Sequence, residues 1–373
     1  MKSKELKFII ATSSHDINDI RVTYRFLNFF QKIGEVQWIG PFSNMIPKII
    51  KCAPVFLNKN HIFRLLSLYF KIKKSCSDYI YVPDPDALLV CILAKKSKTK
   101  IIFDIHERYH DDLVSLRYPN LNKHIKKMIS FILLKLINYG VNKSDFVIGV
   151  GPSRLDCFKK GNEKRIIFSH YVMKEYLTSN KLDIITNENR FNILFGKALL
   201  SRGLAPVLKA IAMLKNKVPI LVINLILIRP NKADKNLDSL IDALNLHENL
   251  TFIDPLPYPE MFKLMNSCQL GIIAYNRDLG VFCVPNRFFE YYTMNLDFIF
   301  PSFAEDLSYF LNSKEVGFPI DTENSLEIAN VINDKYLNWS SSKENNMRNI
   351  EFSTDFLWEN KQNELLKFLN INI

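Results

Sequence analysis

From one end of the chain to the other, short β-branched runs alternate with stretches of helical periodicity. Strand candidates are Lys7–Ala11, Val36–Ile39, Tyr79–Val82, Ile101–Ile105 and Phe146–Val150. A second series follows: Phe191–Phe195, Ile220–Leu227, Leu250–Ile253, Leu270–Ala274 and Phe298–Phe300. Helical patterns fill the intervals, as at Arg21–Gln31, Leu204–Leu214 and Pro259–Asn266. Strands that read as continuous apolar runs are buried on both faces, so the helices must cover a parallel sheet from both sides. Two successive series predict two doubly wound, Rossmann-like α/β domains, and 373 residues suffice for two cores. Such domains are expected to face a central cleft at the carboxyl ends of their strands, where ligands bind in this architecture. The polar stretch Ser179 to Arg190 is the expected linker, giving a first domain over 1–178 and a second over 179–355.

Composition narrows the partners. The net charge of +11 points to an anionic partner, with nucleic acid, anionic lipid and phosphorylated small molecules all in play. A chain rich in Lys, Asn and Ile also gains positive charge without any partner. No helix-turn-helix, zinc or RNA-binding pattern accompanies the charge, which argues against nucleic acid. The six cysteines are scattered, without a CxxC pair, as suits buried thiols in a reducing compartment. Phe8 to Ala11 is too short an apolar core for a signal peptide, and no run approaches the ~20 residues a bilayer requires. The expectation is a cytoplasmic protein, soluble or peripheral on the inner face of the membrane.

Four constellations could carry chemistry. Gly196-Lys197 and Arg202-Gly203 bracket the loop after the strand Phe191–Phe195, and a helix starts near Leu204. Two cations and a helix N-terminus can neutralise a diphosphate without a metal ion. The same residues also suit a solvated strand-to-helix loop. Glu290 follows Pro285, Asn286 and Arg287 one turn into a helix, where a carboxylate can accept both hydroxyls of a ribose. A glutamate on an aromatic helix is equally at home as half-buried structure.

His106-Glu107-Arg108-Tyr109-His110 spells H-E-x-x-H, the helical zinc motif. Here a strand leads in, leaving His106 at its carboxyl end, and the next glutamate after Glu107 is Glu163. No metal site is expected. A histidine so placed can instead hydrogen-bond a substrate hydroxyl. Between Leu113 and Gly140, Arg117, Lys123, His124, Lys126, Lys127 and Lys135 are interspersed with large apolar residues. That pattern fits an anionic membrane surface, and equally a helix packed on a sheet with a basic solvated face.

In order and spacing the chain resembles the family 4 glycosyltransferases, retaining enzymes of the GT-B fold. Ser13 to Gly34, with Asp19-x-Arg21, is similar to the family's opening loop and first helix. Asp84-Pro85-Asp86 and Asp104-Ile105-His106-Glu107 resemble two further segments. Gly196-Lys197 with Arg202-Gly203 resembles the phosphate loop, its basic types exchanged, and Pro285 to Tyr291 resembles the ribose segment. Phe356 to Glu359 resembles the start of the closing helix, so 356–373 is expected to return to the first, acceptor-binding domain.

The resemblance implies a metal-independent hexosyltransferase that uses a UDP or GDP sugar as donor substrate and needs no cofactor. His106 would contact the donor sugar, Lys197 and Arg202 the diphosphate, and Glu290 the ribose. Gly196, Arg287, Gly280 and Val281 would complete the donor site, the last two by backbone amides of a loop over Asp278 to Val281. The acceptor would be a glycan or a lipid-linked molecule in surface polysaccharide synthesis. Phe282 stands where many members carry a glutamate, Asn295 where a turn has glycine, Asp297 where a proline follows, and Leu225 to Arg229 lacks an expected glycine. Two other readings stand beside this one: a catalytically degenerate binding subunit, and a nucleotide-sugar epimerase of the same fold.

Overall fold

The computed structural model describes residues 5–107, 121–156, 165–182, 190–216, 222–230, 234–311, 317–341 and 352–371. It divides into two compact units. The first holds Met1–Ser169 and Asn363–Ile373, the second His170–Gln362.

Seven parallel strands form the sheet of the first unit: β1 (Leu6–Ala11), β2 (Gly34–Pro41), β3 (Val55–Leu57), β4 (Tyr79–Val82), β5 (Lys100–Ile105), β6 (Phe146–Gly149) and β7 (Arg165–Ile167). Their order is β3-β2-β1-β4-β5-β6-β7. Alternation along β1 divides its side chains between the two faces of the sheet. Ile9 and Ala11 join Val82, Phe103, Leu88 and Ile137 in one apolar core. On the other face the rings of Phe8 and Phe30 stack at 4.6 Å, and those of Phe26 and Tyr81 also at 4.6 Å. Because β1 pairs with both β2 and β4, successive crossovers leave it in opposite directions. A crevice therefore opens beyond the carboxyl ends of β1 and β4.

The helix expected at Arg21–Gln31 is two helices. Ile20–Leu27 is a π-helix, capped by the Asp19 carboxylate, which accepts from the Val22 amide at 2.8 Å. An ordinary α-helix, Asn28–Ile33, continues it. The wider turn suits a segment in which all of Arg21 to Leu27 is buried, arginines included.

The second unit repeats the plan with six parallel strands: β8 (Phe191–Lys197), β9 (Ile223–Ile228), β10 (Leu250–Ile253), β11 (Leu270–Ile272), β12 (Phe298–Pro301) and β13 (Phe318–Ile320). Their order, β10-β9-β8-β11-β12-β13, again reverses direction at the first strand of the series. Ile193, Leu208, Leu225, Ile272 and Ile328 lie in its core.

The expected fold class, two doubly wound parallel α/β units, is what the chain adopts. The division falls at Ser169/His170 and not at 178/179. Backbone pairing is the reason: the Val172 amide donates to the Phe356 carbonyl at 2.9 Å, and the Trp358 amide to the Val172 carbonyl at 2.8 Å. The Tyr176 ring meets Tyr258 and Phe262. These contacts join the segment after His170 to the second unit. The closing helix, Trp358–Leu369, passes at Asn363 into residues of the first unit. There the Tyr79 hydroxyl donates to the Leu369 carbonyl and the Phe368 ring meets Phe146 edge-on.

Candidate functional site

Each unit gathers polar residues at the carboxyl ends of its central strands. In the first unit β1 ends into Thr12-Ser13-Ser14-His15, and β4 into Pro83-Asp84. Asp84 is buried and draws the loop around itself. Its carboxylate accepts from the Thr12 hydroxyl at 2.5 Å, the Ser13 amide at 2.8 Å and the Ser14 hydroxyl. The His15 Nε2 lies 3.3 Å from the same carboxylate, and its Nδ1 lies 3.3 Å from Asp19. Burial disfavours the His15 cation, but the Asp19 hydrogen bond and the Asp84 and Asp19 charges outweigh it. The imidazole pKa is pushed up to about 10.

Beside it, Arg21 and Asp104 form a buried bidentate pair, both contacts at 2.7 Å. The rest of the guanidinium donates to the Phe168 and Ser169 carbonyls at 2.8 and 3.0 Å, and the Tyr81 hydroxyl donates to Asp104. The Asp-x-Arg of the opening loop thus caps a helix with its first residue and anchors a strand with its last. Asp104 holds the end of β5, and His106 follows it, Nδ1 3.7 Å from the Asp104 carboxylate. The His15 and His106 rings lie 4.8 Å apart. Burial first, and the His15 cation second, hold His106 below the ordinary histidine value, with the Asp104 charge opposing. At neutral pH the pair is one imidazolium and one neutral imidazole. A neutral imidazole can donate to or accept from a hydroxyl.

His106 begins no helix: it is the first residue beyond β5, and Glu107 stands in a bend. His110, the remaining residue of the H-E-x-x-H match, lies outside the described residues, as does the part of the basic stretch from Leu113 to Asn120. Among the described residues no cluster of three or more His, Cys, Asp or Glu side chains could hold a metal ion.

In the second unit β8 ends on Gly196 and Lys197. Gly196 has φ +104°, and a Cβ there would fall within the Arg287 guanidinium, which donates to the Phe195 carbonyl. Arg202 closes a short 3-10 turn, Leu200–Arg202, and Gly203 at φ +75° starts the helix Leu204–Met213. A Cβ at Gly203 would lie 2.9 Å from the Tyr275 amide nitrogen, so the loop passes directly over the end of β11. Lys197, Arg202 and Arg287 are near enough to feel one another. Partial burial, and then the two arginine charges, hold Lys197 below the usual lysine value. Three cations at one strand end make a ready anion site.

Glu290 is buried on the helix Asn286–Thr293, one turn beyond Arg287. Gly280 and Val281 differ in form from the expectation. Arg277–Gly280 is a short helix, and the Gly280 and Val281 amides donate to the Asn276 and Arg277 carbonyls at 2.9 and 3.3 Å. Those amides are engaged within their own turn, because a closed helical turn consumes the donors that an open loop would present. Asn295 takes the left-handed conformation in the glycine's stead, φ +51°. Asp297 pairs with Lys335 at 2.7 Å.

Five of the sequence-derived residues, Gly196, Lys197, Arg202, Arg287 and Glu290, thus lie at the carboxyl end of β8 or on the helix Asn286–Thr293 facing it through Arg287. His106 belongs to the other unit. Sequence reasoning passed over His15, for which Ser13-Ser14-His15-Asp16 at a strand end was the available sign.

No family model and no curated protein matches the chain. Solved structures do. Sucrose-phosphate synthase from Thermosynechococcus elongatus is similar at a TM-score of 0.68, with 13% identity over 98% of this chain and 99% of that one. HepE from Anabaena, solved in complex with UDP-glucose, is similar at 0.67, with 12% identity over 98% and 99%. A structure described as a UDP-N-acetylglucosamine 2-epimerase from Listeria monocytogenes gives 0.61, with 9% identity over 98% and 96%. At such identities the likeness is one of fold: the chain has the two-Rossmann-domain, GT-B architecture.

Proposed function

We propose that the chain is a glycosyltransferase, similar to family 4, that moves a hexose from a UDP or GDP sugar to a glycan or lipid-linked acceptor. The observation that carries this reading is the convergence of Lys197, Arg202 and Arg287 on the strand end at Gly196. A leaving diphosphate bears the charge that three fixed cations stabilise, and they supply it without a metal ion. Glu290, on the same helix as Arg287, is the ribose acceptor in this reading. His106, kept neutral, contacts a sugar hydroxyl.

Transfer proceeds with retention. The acceptor hydroxyl attacks from the face the diphosphate leaves, and a diphosphate oxygen takes its proton while the anomeric bond breaks. Lys197 and Arg202 hold that oxygen in place, so positioning and charge carry the step and no protein base is required. The setting is surface polysaccharide synthesis (capsule, O-antigen or exopolysaccharide), with the enzyme cytoplasmic and peripheral on the membrane.

Two observations favour other readings. Phe282 in place of a glutamate fits a binding subunit that has lost catalysis, and the likeness to the Listeria structure fits an epimerase. A panel of UDP, GDP, CMP and their sugars separates them. A thermal shift with one nucleotide, and release of sugar from its nucleotide sugar, supports the transferase. Binding without turnover supports the degenerate subunit, and interconversion of the bound sugar supports the epimerase. Indifference to every nucleotide contradicts the transferase and the epimerase and leaves the binding subunit.

A further inference from the structure

Two helices of the first unit carry large apolar side chains on their outer faces. On His61–Lys74 these are Ile62, Phe63, Leu66 and Phe70; on Lys123–Lys143 they include Met128, Phe131, Ile132 and Leu136. Single exposed apolar residues are ordinary on any surface, but these recur at helical spacing. Both helices pack against Pro85–Ala94, and all three send residues into the same core: Leu68 and Ile72, Leu88 and Cys91, Ile137 and Val141. Their outer faces therefore form one layer, and Leu93 on the middle helix is 74% exposed.

The charge on the two outer helices has one sign. His61–Lys74 and Lys123–Lys143 contain no aspartate and no glutamate. Arg64, Lys71, Lys73 and Lys74 stand on the first, and Lys123, Lys126, Lys127, Lys135 and Lys143 on the second. The Lys135 ammonium lies 4.5 Å from the Phe131 ring centroid and the Lys73 ammonium 5.4 Å from that of Tyr69. Long basic side chains lying along apolar neighbours suit an interface at which rings enter the acyl boundary and ammonium groups meet lipid phosphates. Among the described residues no helix is long and apolar enough to cross a membrane, so the surface would lie on the bilayer and not span it.

The layer also reaches the polar cluster at the end of β1. The His61 Nε2 lies 2.9 Å from the Asp86 carboxylate, and the Arg64 guanidinium donates to the Ser13 carbonyl. We propose that the outer faces of His61–Lys74 and Lys123–Lys143 dock the first unit on an anionic lipid bilayer, which brings a lipid-linked acceptor to the cluster around Asp84. The acceptor clause rests on the glycosyltransferase reading; the docking surface does not.

The test is sedimentation of the full chain with vesicles of phosphatidylcholine alone or mixed with phosphatidylglycerol, beside UDP and GDP titrations of each variant. The chain should bind the mixed vesicles, release them as salt rises, and ignore phosphatidylcholine. Lys123→Glu with Lys127→Glu should weaken binding by about tenfold or more, at about 1 kcal/mol per surface cation. Phe131→Ser with Leu136→Ser should weaken it as well, and both pairs should keep their circular dichroism. Absence of vesicle binding, or binding that both pairs leave unchanged, overturns the proposal. So does a concentration-dependent dimer in sedimentation velocity that Phe131→Ser with Leu136→Ser dissolves, which would assign the face to a second copy of the chain. Vesicle binding without any response to UDP or GDP spares this proposal and strikes the glycosyltransferase reading.

Discussion

The imidazole rings of His15 and His106 lie 4.8 Å apart beyond the ends of β1 and β5, the two strands that flank β4, and their environments drive their pKa values in opposite directions. Asp19 and Asp84 flank the first and favour its cation; burial and that cation disfavour charge on the second. His15→Asn removes the cation and leaves the burial. The His106 pKa should rise in the variant, read by NMR titration of the imidazole carbons. An unchanged value would mean that burial alone sets it.

The raised His15 pKa also shapes stability. Its folded value, about 10, stands above the ordinary 6.5, so the contribution is fully present below about 6.5 and is lost as pH climbs towards 10. Tm should fall across that window in the wild type, and the fall should be shallower in His15→Asn. His106 has the opposite sign: its depressed value makes stability decline as pH drops below 6.5. Scanning calorimetry at a series of pH values reads both limbs.

Arg21 and Asp104 form a buried pair, and removing one partner strands the other. Arg21→Leu or Asp104→Leu alone should cost about 3–5 kcal/mol in urea unfolding, and the double variant less than the sum. Additive losses would show that the two charges do not stabilise each other.

Gly196 and Gly203, both at positive φ in the second unit, should fail differently. At Gly196 an added methyl meets the end of a flexible arginine, so Gly196→Ala should fold, with Tm lowered, and bind nucleotide at least about tenfold more weakly as Arg287 is displaced. At Gly203 the methyl meets the backbone at Ala274 and Tyr275, and Gly203→Ala should lose about 1–3 kcal/mol of stability. Thermal melts with and without UDP or GDP separate the two effects. Equal behaviour would contradict the distinct roles.

The long strands were legible because burial on both faces leaves unbroken apolar runs such as Phe8 to Ala11 and Phe146 to Ile148. β3, β7 and β13 were not: each is three residues long and lies at a sheet edge, too short to show a period. The cations at Gly196 were legible because a glycine at a strand end and basic residues before a helix lie close in sequence. His15 was not. Its partners, Asp84 and His106, come from β4 and β5, and only the strand order brings them together. The π-turn at Ile20–Leu27 was hidden for a similar reason, since it suits a buried segment whose Arg21 finds its partner in Asp104, 83 residues away. The domain boundary slipped because the segment at Val172 is held by hydrogen bonds to Phe356 and Trp358, which no local composition announces.

The central claim is a nucleotide-diphosphate site built from Lys197, Arg202 and Arg287. Calorimetric titration of UDP and GDP into the wild type and Lys197→Ala, with a chelator present throughout, tests it most directly. The claim predicts saturable binding of one nucleotide by the wild type without metal, weakened about ten- to a hundredfold in Lys197→Ala by loss of a charge-assisted contact. Absence of binding by the wild type in chelator, or binding that Lys197→Ala leaves intact, would contradict it.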